Sequence, residues 1–232
     1  ERLLLPELLE RLNEIDDIEW IRVLYTYPES ITDELLDVMA KCEKVVKYLD
    51  IPIQHASDRI LKLMNRRSTN EELHALIEKI RNKIPEITLR TTVIVGFPTE
   101  TDEDFTTLCE FVKWARFDRL GCFTYSAEEG TKAAEMEEQI EQDVKERRYD
   151  VLMAEQSIVG EELANSKVGK TVTALVEGFD NLNKCYYGRT AADAPDIDTK
   201  VFFTSKKPLD IGSFSQIKIT DTLELDLVGE TI

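Results

Sequence analysis

The sequence predicts an α/β fold in two parts: a (β/α) barrel, or a portion of one, over residues 1–166, and a small closed five-stranded antiparallel β-barrel of the oligonucleotide-binding type over residues 167–232. Three observations carry the prediction. Helix and strand signals alternate as far as Tyr125, the pattern of parallel βαβ units. One long polar helical stretch follows, over 139–166. After Gly169 the helical period vanishes, and short runs of β-branched and aromatic residues alternate with turn residues.

Leucines at helical spacing over 3–14 form the first helix, and the apolar run 18–27, stopped by Pro28, forms the first strand. Ser30 and Thr32 are cap residues for a helix whose apolar face, Leu35, Leu36, Val38 and Met39, continues towards Val45; residues 48–54 are the next strand. Residues 69–84 read as a helix ended by Pro85, 89–97 as a buried strand, 101–117 as a helix and 120–125 as a strand. Uninterrupted apolar stretches such as 92–97 suit a parallel sheet covered on both faces. Along 139–166, Val144, Val151, Leu152, Ile158, Val159 and Leu163 recur near heptad spacing, as in a connector packed on the barrel. The later strands are expected at 171–176, 185–189, 200–204, 215–220 and 223–228, with Gly178, Asp180, Asn183, Pro208 and Gly212 between them.

Of the 232 residues, 42% are hydrophobic, and 46 acidic against 29 basic side chains leave a formal charge of −17. Residues 167–232 carry only −2 of it, so the small barrel is nearly neutral. That balance excludes a protein that coats nucleic acid through clustered Lys and Arg, while a small basic face stays open. No apolar run reaches the ~18 residues of a membrane span and no leader pattern is present, so a cytoplasmic protein without a membrane partner is expected. Cys42, Cys109, Cys122 and Cys185 are too scattered for a disulfide framework or paired metal ligands, and are expected reduced and mostly buried. The sequence opens on Glu1 rather than methionine, which suggests a fragment.

In (β/α) barrels functional residues gather at the carboxyl ends of the strands, here 25–28, 52–57, 96–100 and 125–128. The segment IPIQHASD at 51–58 places Gln54, His55 and Ser57 at such an end; Ser57 is also a candidate cap for a helix beginning near Asp58. His55 lacks a carboxylate or cysteine nearby in the chain and reads as a loop or core histidine, and His74 as structural. In TTVIVGFPTETDED at 91–104, Gly96 and Pro98 shape a turn that lets a ligand approach backbone groups, as a sheet edge receives a flat heterocycle. Thr101 caps the next helix and residues 102–104 complement its dipole, which argues against a catalytic carboxylate cluster. Arg90 is either a surface residue or an inward charge that meets a carboxylate. Phe123 and Tyr125 alternate on their strand, with Phe123 expected in the core and Tyr125 available to stack on a ring. No Gly-x-Gly-x-x-Gly fingerprint or phosphate loop occurs.

Taken together, YLDIPIQHASDRILKLMNR (48–66), RTTVIVGFPTETDEDF (90–105), FTYSAEEGTKAAEM (123–136) and GRTAADAPDID (188–198) resemble the radical S-adenosylmethionine methylthiotransferases over nearly the whole chain. The final domain resembles that family's TRAM substrate-recognition barrel. Family members acting on transfer RNA usually carry Ser-Gly-Ser after the glutamine and an aspartate before the Ile-Val-Gly strand. His55, Ala56, Ser57 and Thr92 stand there instead, and resemble the branch that modifies a small-subunit ribosomal protein, as does DAPDID after Tyr187, Gly188 and Arg189. An acidic large part agrees with a basic protein partner, RNA binding being secondary. The alternatives are a transfer-RNA adenosine methylthiotransferase and a non-catalytic RNA- or protein-binding module.

The resemblance implies the chemistry. A [4Fe-4S] cluster on three cysteines reduces S-adenosylmethionine to a 5′-deoxyadenosyl radical, the radical takes a β-hydrogen from an aspartate, and sulfur from a second cluster is inserted and methylated. It implies that Gln54 and Ser57 sit near the ribose or methionine end of S-adenosylmethionine, that Arg90 meets its carboxylate, and that Val95, Gly96 and Tyr125 hold adenine. The sequence departs from the family in lacking both cysteine sets, so no residue here is expected to ligate iron, none to be catalytic by itself, and the chain alone to be inactive. Thr99 stands where the family commonly has glycine.

Overall fold

The computed structural model describes residues 3–232, which fall into two compact units divided between Val159 and Gly160. The first unit runs α1 (Leu5–Asn13), β1 (Ile21–Val23), a 3-10 turn (Pro28–Ser30), α2 (Asp33–Lys41), β2 (Val45–Asp50), α3 (Asp58–Leu63), α4 (Asn70–Lys83), β3 (Thr88–Val95), α5 (Asp102–Ala115), β4 (Arg119–Thr124) and the first turns of α6 (Gln142–Asn165). The strands pair in chain order β1-β2-β3-β4, all parallel. Each successive strand is thus reached through a helical crossover, as in a (β/α) barrel.

Local chemistry accounts for the helix starts. The Thr32 hydroxyl accepts from Leu35 N (3.2 Å), and Thr69 and Thr101 each close a reciprocal capping box, with Glu72 and Asp104. Helix α2 stops at Lys41, short of the expected continuation to Val45, because Lys47 Nζ donates to the carbonyls of Met39, Ala40 (3.2 Å) and Cys42 (3.0 Å), which closes the last turn. Strand β2 therefore begins three residues earlier than the apolar pattern suggests.

Strand β3 alternates: Leu89, Thr91, Val93 and Val95 are buried with the helices, whereas Arg90, Thr92 and Ile94 are half-buried on the other face. The expectation of a sheet fully covered on both faces is corrected to that extent. The same alternation overturns the expected burial of Phe123, which is 59% exposed: its neighbour Cys122 takes the core side, so a side chain one position on must face away. His74 is structural as expected, its ring 4.8 Å from Phe111 and 4.1 Å from Trp114. No helix among the described residues is long and apolar enough to cross a membrane.

The second unit is the expected small barrel: β5 (Thr171–Asp180), β6 (Cys185–Thr190), β7 (Val201–Thr204), β8 (Phe214–Leu223) and β9 (Asp226–Thr231), closed in the order β5-β6-β7-β9-β8. It is not wholly antiparallel, since β7 and β9 run parallel. The last hairpin turns at Glu224 (φ 55°), so β8 reaches Leu223 and β9 starts at Asp226, a shift from the expected 223–228. Ala174, Val176, Val201, Phe203, Ile217, Ile219 and Leu227 fill its interior.

Candidate functional site

The carboxyl ends of β1 to β3 carry left-handed backbone at non-glycine positions: Tyr25 (φ 62°), Gln54 (φ 70°) and Thr99 (φ 70°), with Gly96 at φ 72°. Such conformations cost energy and concentrate where a fold presents chemistry. Gln54 continues the β2–β3 pairing past Pro52, its N–H donating to Thr92 O (2.9 Å) and its carbonyl accepting from Ile94 N (2.8 Å). Its main chain is thereby fixed against β3, and its side chain is half-buried.

Arg90 is the inward charge that meets a carboxylate: Nε lies 3.7 Å from Asp50 Oδ1 across β2–β3, and Asp50 Oδ2 accepts from Tyr25 N (3.2 Å). Ser57 occupies the N-cap position of α3, where its carbonyl accepts from Leu61 N (2.9 Å) but its side chain makes no cap hydrogen bond. Its buried hydroxyl instead donates to Asp104 Oδ1 (2.5 Å). Burial works to raise the Asp104 pKa, but hydrogen bonds from Arg59, Ser57 and Thr101 outweigh it and hold the carboxyl well below the usual carboxylate range.

Val95, Gly96 and Tyr125 come together at the ends of β3 and β4. The Val95 side chain is in the core and its carbonyl accepts from Tyr125 N (2.9 Å). The Tyr125 ring meets Phe97 edge-on (5.3 Å), and its hydroxyl is buried without a hydrogen-bond partner. The space beside Gly96 is taken by Lys145 of α6, whose stem packs where a β-carbon would be, while Nζ donates to Tyr125 O (3.0 Å) and lies 5.2 Å above the Tyr125 ring. Gly96→Ala is accordingly expected to cost about 2–3 kcal/mol in chemical denaturation: ~1–2 from the left-handed φ and ~1 from displacing Lys145. Thr99 is held left-handed by donating from N to Glu138 O (2.8 Å) and by accepting from Arg59 at Oγ1 (2.9 Å) and O (2.5 Å). Thr99→Gly should raise stability by roughly 0.5 kcal/mol, read from the denaturant midpoint, because relief of ~1–2 kcal/mol of strain exceeds the sum of the entropy that glycine adds to the unfolded chain and the small worth of the exposed Arg59 hydrogen bond to Oγ1 that is lost.

Three residues of this region escaped the sequence reading, Glu100, Lys145 and Arg148, while His55 is the core histidine expected. Contrary to the expectation from the chain, His55 has a carboxylate beside it in space, Nε2 lying 3.7 Å from Glu100 Oε2 with both side chains fully buried. Glu100 Oε2 accepts from the backbone N–H groups of Gly96 (2.7 Å) and Phe97 (3.2 Å). Arg148 of α6 supplies the charge opposite, Nη1 to Glu100 Oε1 (3.0 Å). A Glu four residues past a turn glycine was a usable signal; for Lys145 and Arg148, in a helix reading as polar and solvated, there was none.

The cysteines are free and all at least half-buried. Burial pushes the Cys109 thiol up to about 11 and that of Cys122 up to about 12, away from the thiolate that binds metal. Among the described residues no three His, Cys, Asp or Glu side chains converge on one point. At the carboxyl end of the strands, the Tyr125 hydroxyl is buried and unpartnered beside the strand-end backbone of Val95, whereas the inward cation Arg90 lies near the start of β3, opposite Arg119.

Residues 1–112 match the model of the Radical SAM superfamily, and residues 168–232 that of the TRAM domain. The solved coproporphyrinogen III oxidase HemN from Escherichia coli shares the fold, with TM-score 0.55 at 22% identity over 67% of this chain and 37% of its own. The chain belongs to the radical S-adenosylmethionine superfamily and carries a TRAM barrel.

Within that class its relatives are ribosomal protein uS12 methylthiotransferases RimO. That of Acetivibrio thermocellus is 51% identical over 98% of this chain and 50% of its own length, and that of Caldicellulosiruptor saccharolyticus 47% identical over 100% and 52%. The counterpart from Clostridioides difficile is 48% identical over 98% and 51%. The chain thus spans about half the length of the curated relatives it matches.

Proposed function

We propose that this chain is the cofactor-cradling and TRAM part of an enzyme that attaches a methylthio group to the β-carbon of an aspartate in ribosomal protein uS12. The observation that carries the reading is 51% identity to a uS12 methylthiotransferase along 98% of the chain. Functionally the large part is taken as residues 1–166 and the TRAM domain as 167–232, acting in the cytoplasm on a basic partner, the ribosomal protein, on the ribosome or free of it.

S-adenosylmethionine and a [4Fe-4S] cluster supply the radical and the methyl group in such an enzyme, and a second cluster the sulfur. The part left to this chain is positioning. Gln54 and Ser57 are assigned to the ribose and methionine end, Arg90 to the methionine carboxylate, and the Val95–Gly96 backbone with Tyr125 to adenine. The left-handed turn at Gln54, the Arg90–Asp50 pair and the orphaned Tyr125 hydroxyl support these assignments. Ser57 is the weakest member, since its hydroxyl is engaged by Asp104. The high thiol pKa values support the further proposal that these 232 residues neither bind a cluster nor cleave S-adenosylmethionine unaided.

Two experiments test the reading. Mass spectrometry of uS12 and of bulk transfer RNA from a strain lacking the gene should show the methylthio increment missing from the protein; its loss from transfer RNA alone would assign the substrate to RNA. Anaerobic iron–sulfur reconstitution of the 232-residue chain should leave it silent in electron paramagnetic resonance after reduction. A stoichiometric reducible [4Fe-4S] signal would sink that part.

A further inference from the structure

Helix α6 reaches the turn after β3 with two side chains one helical turn apart, Lys145 and Arg148, 8% and 7% exposed. A Lys or Arg is seldom buried without a partner that offsets its desolvation. Lys145 lies against Gly96 and Tyr125. Arg148 is deeper in its contacts: Nη1 donates to Glu100 Oε1 (3.0 Å) and to the Glu100 carbonyl (3.1 Å), and Nη2 to Asp102 Oδ1 (2.8 Å). A fork this well used fixes the Glu100 carboxylate in place.

The other oxygen of that carboxylate does the work at the turn. Oε2 accepts from the N–H groups of both Gly96 (2.7 Å) and Phe97 (3.2 Å). Because a trans peptide is planar, pinning an N–H also aims the preceding carbonyl, here those of Val95 and Gly96. The Val95 carbonyl is aimed at Tyr125 N (2.9 Å), which joins the ends of β3 and β4. His55 stands behind the same oxygen: Nδ1 accepts from Ser57 N (3.0 Å), so the ring hydrogen is on Nε2, 3.7 Å from Oε2. Gly96 is left-handed at φ 72°, a conformation a glycine leaves easily unless something holds it.

We propose that Arg148 is a positioning residue of the adenosine cradle: acting through Glu100, it sets the peptide planes of Gly96 and Phe97. Helix α6 is then part of the site's machinery rather than a passive connector. The role rests on the assignment of Gly96 and Tyr125 to adenine made above, and the experiment separates the two.

The amide signals of Gly96 and Phe97 are followed by nuclear magnetic resonance in the 15N-labelled 232-residue chain, with and without S-adenosylhomocysteine as the unreactive probe. Wild-type signals should lie downfield and exchange slowly with deuterium. Arg148→Met should move both upfield, speed their exchange by about tenfold relative to amides in the centre of β3, and weaken the probe by about tenfold, the worth of a hydrogen bond to a charged group. Arg148→Lys should restore part of each effect, which a purely space-filling role would not predict. Should Arg148→Met fail to fold, Glu100→Gln, which keeps the shape and removes the charge, gives the same readout. Unchanged amide signals in a folded variant overturn the proposal, as do shifted amides with unaltered probe affinity. If the wild-type chain shows no saturable probe binding, the adenine assignment fails and with it the positioning role, while the amide shifts still report whether Arg148 holds the turn.

Discussion

Replacing Gly188 by alanine is expected to unfold the small barrel. Gly188 sits in β6 opposite Val176, and a β-carbon there would lie inside the van der Waals radius of the Leu175 carbonyl oxygen. That oxygen belongs to the backbone of the neighbouring strand, so no side-chain rotation relieves the overlap. Overpacking a core commonly costs ~1–3 kcal/mol, and a collision between two main chains in a closed barrel belongs above that range, at about 4 kcal/mol or more. Circular dichroism should show the strand signal of the barrel lost in Gly188→Ala, with the helices of the first unit retained. Gly121→Ala is the control: its β-carbon would meet nothing nearer than 3.6 Å, an ordinary contact. A Gly188→Ala chain that melts like wild type would refute the packing account.

Gly188 also shows what was legible and why. The stretch GRTAADAPDID stood out only by resemblance, and the structure gives its residues packing roles that single-chain patterns do not encode. Arg189 Nε donates to Glu177 Oε1 (2.8 Å) across the strand pair, and buried Asp193 accepts from Thr190 N (3.1 Å), Thr190 Oγ1 (2.6 Å) and Thr199 Oγ1 (2.9 Å). Helix starts at Thr32, Thr69 and Thr101 were readable because a cap is a local event, decided within four residues. The ends of α2 and β2 were not, because Lys47 closes the helix from the following strand. For the site, the turn at Gly96 and the inward Arg90 were legible as types. What holds the turn was not: Arg148 meets Glu100 across 48 residues, and nothing in a polar helical segment marks which of its cations is buried. Thr99 was noticed only as a departure from glycine, and its φ of 70° supplies the physical content of that departure.

Asp104→Ala carries the second large effect. The carboxylate sits in the first turn of α5, where it closes the capping box with Thr101, accepts from the buried Ser57 hydroxyl (2.5 Å) and pairs with Arg59. Losing the cap costs ~1 kcal/mol, and losing a charge-assisted hydrogen bond whose buried partner is then stranded costs ~1.5–3 more. Arg59, its side chain 46% exposed, is rehydrated when abandoned and adds little. The expected loss at neutral pH is therefore about 3 kcal/mol. The acid dependence should change as well. Because the folded carboxyl is held below the ~3.9 of an unfolded aspartate, the unfolded chain binds the proton first as the pH falls. The stability that Asp104 contributes is thus fully present above about pH 5 and is lost progressively on acidification below pH ~4. Denaturant midpoints measured from pH 7 downwards should fall in wild type and fall less steeply in Asp104→Ala, so that the two chains approach one another in acid. Parallel curves would mean that this carboxyl titrates alike in the folded and unfolded chain, and the junction of α3 and α5 would then owe its stability to packing alone.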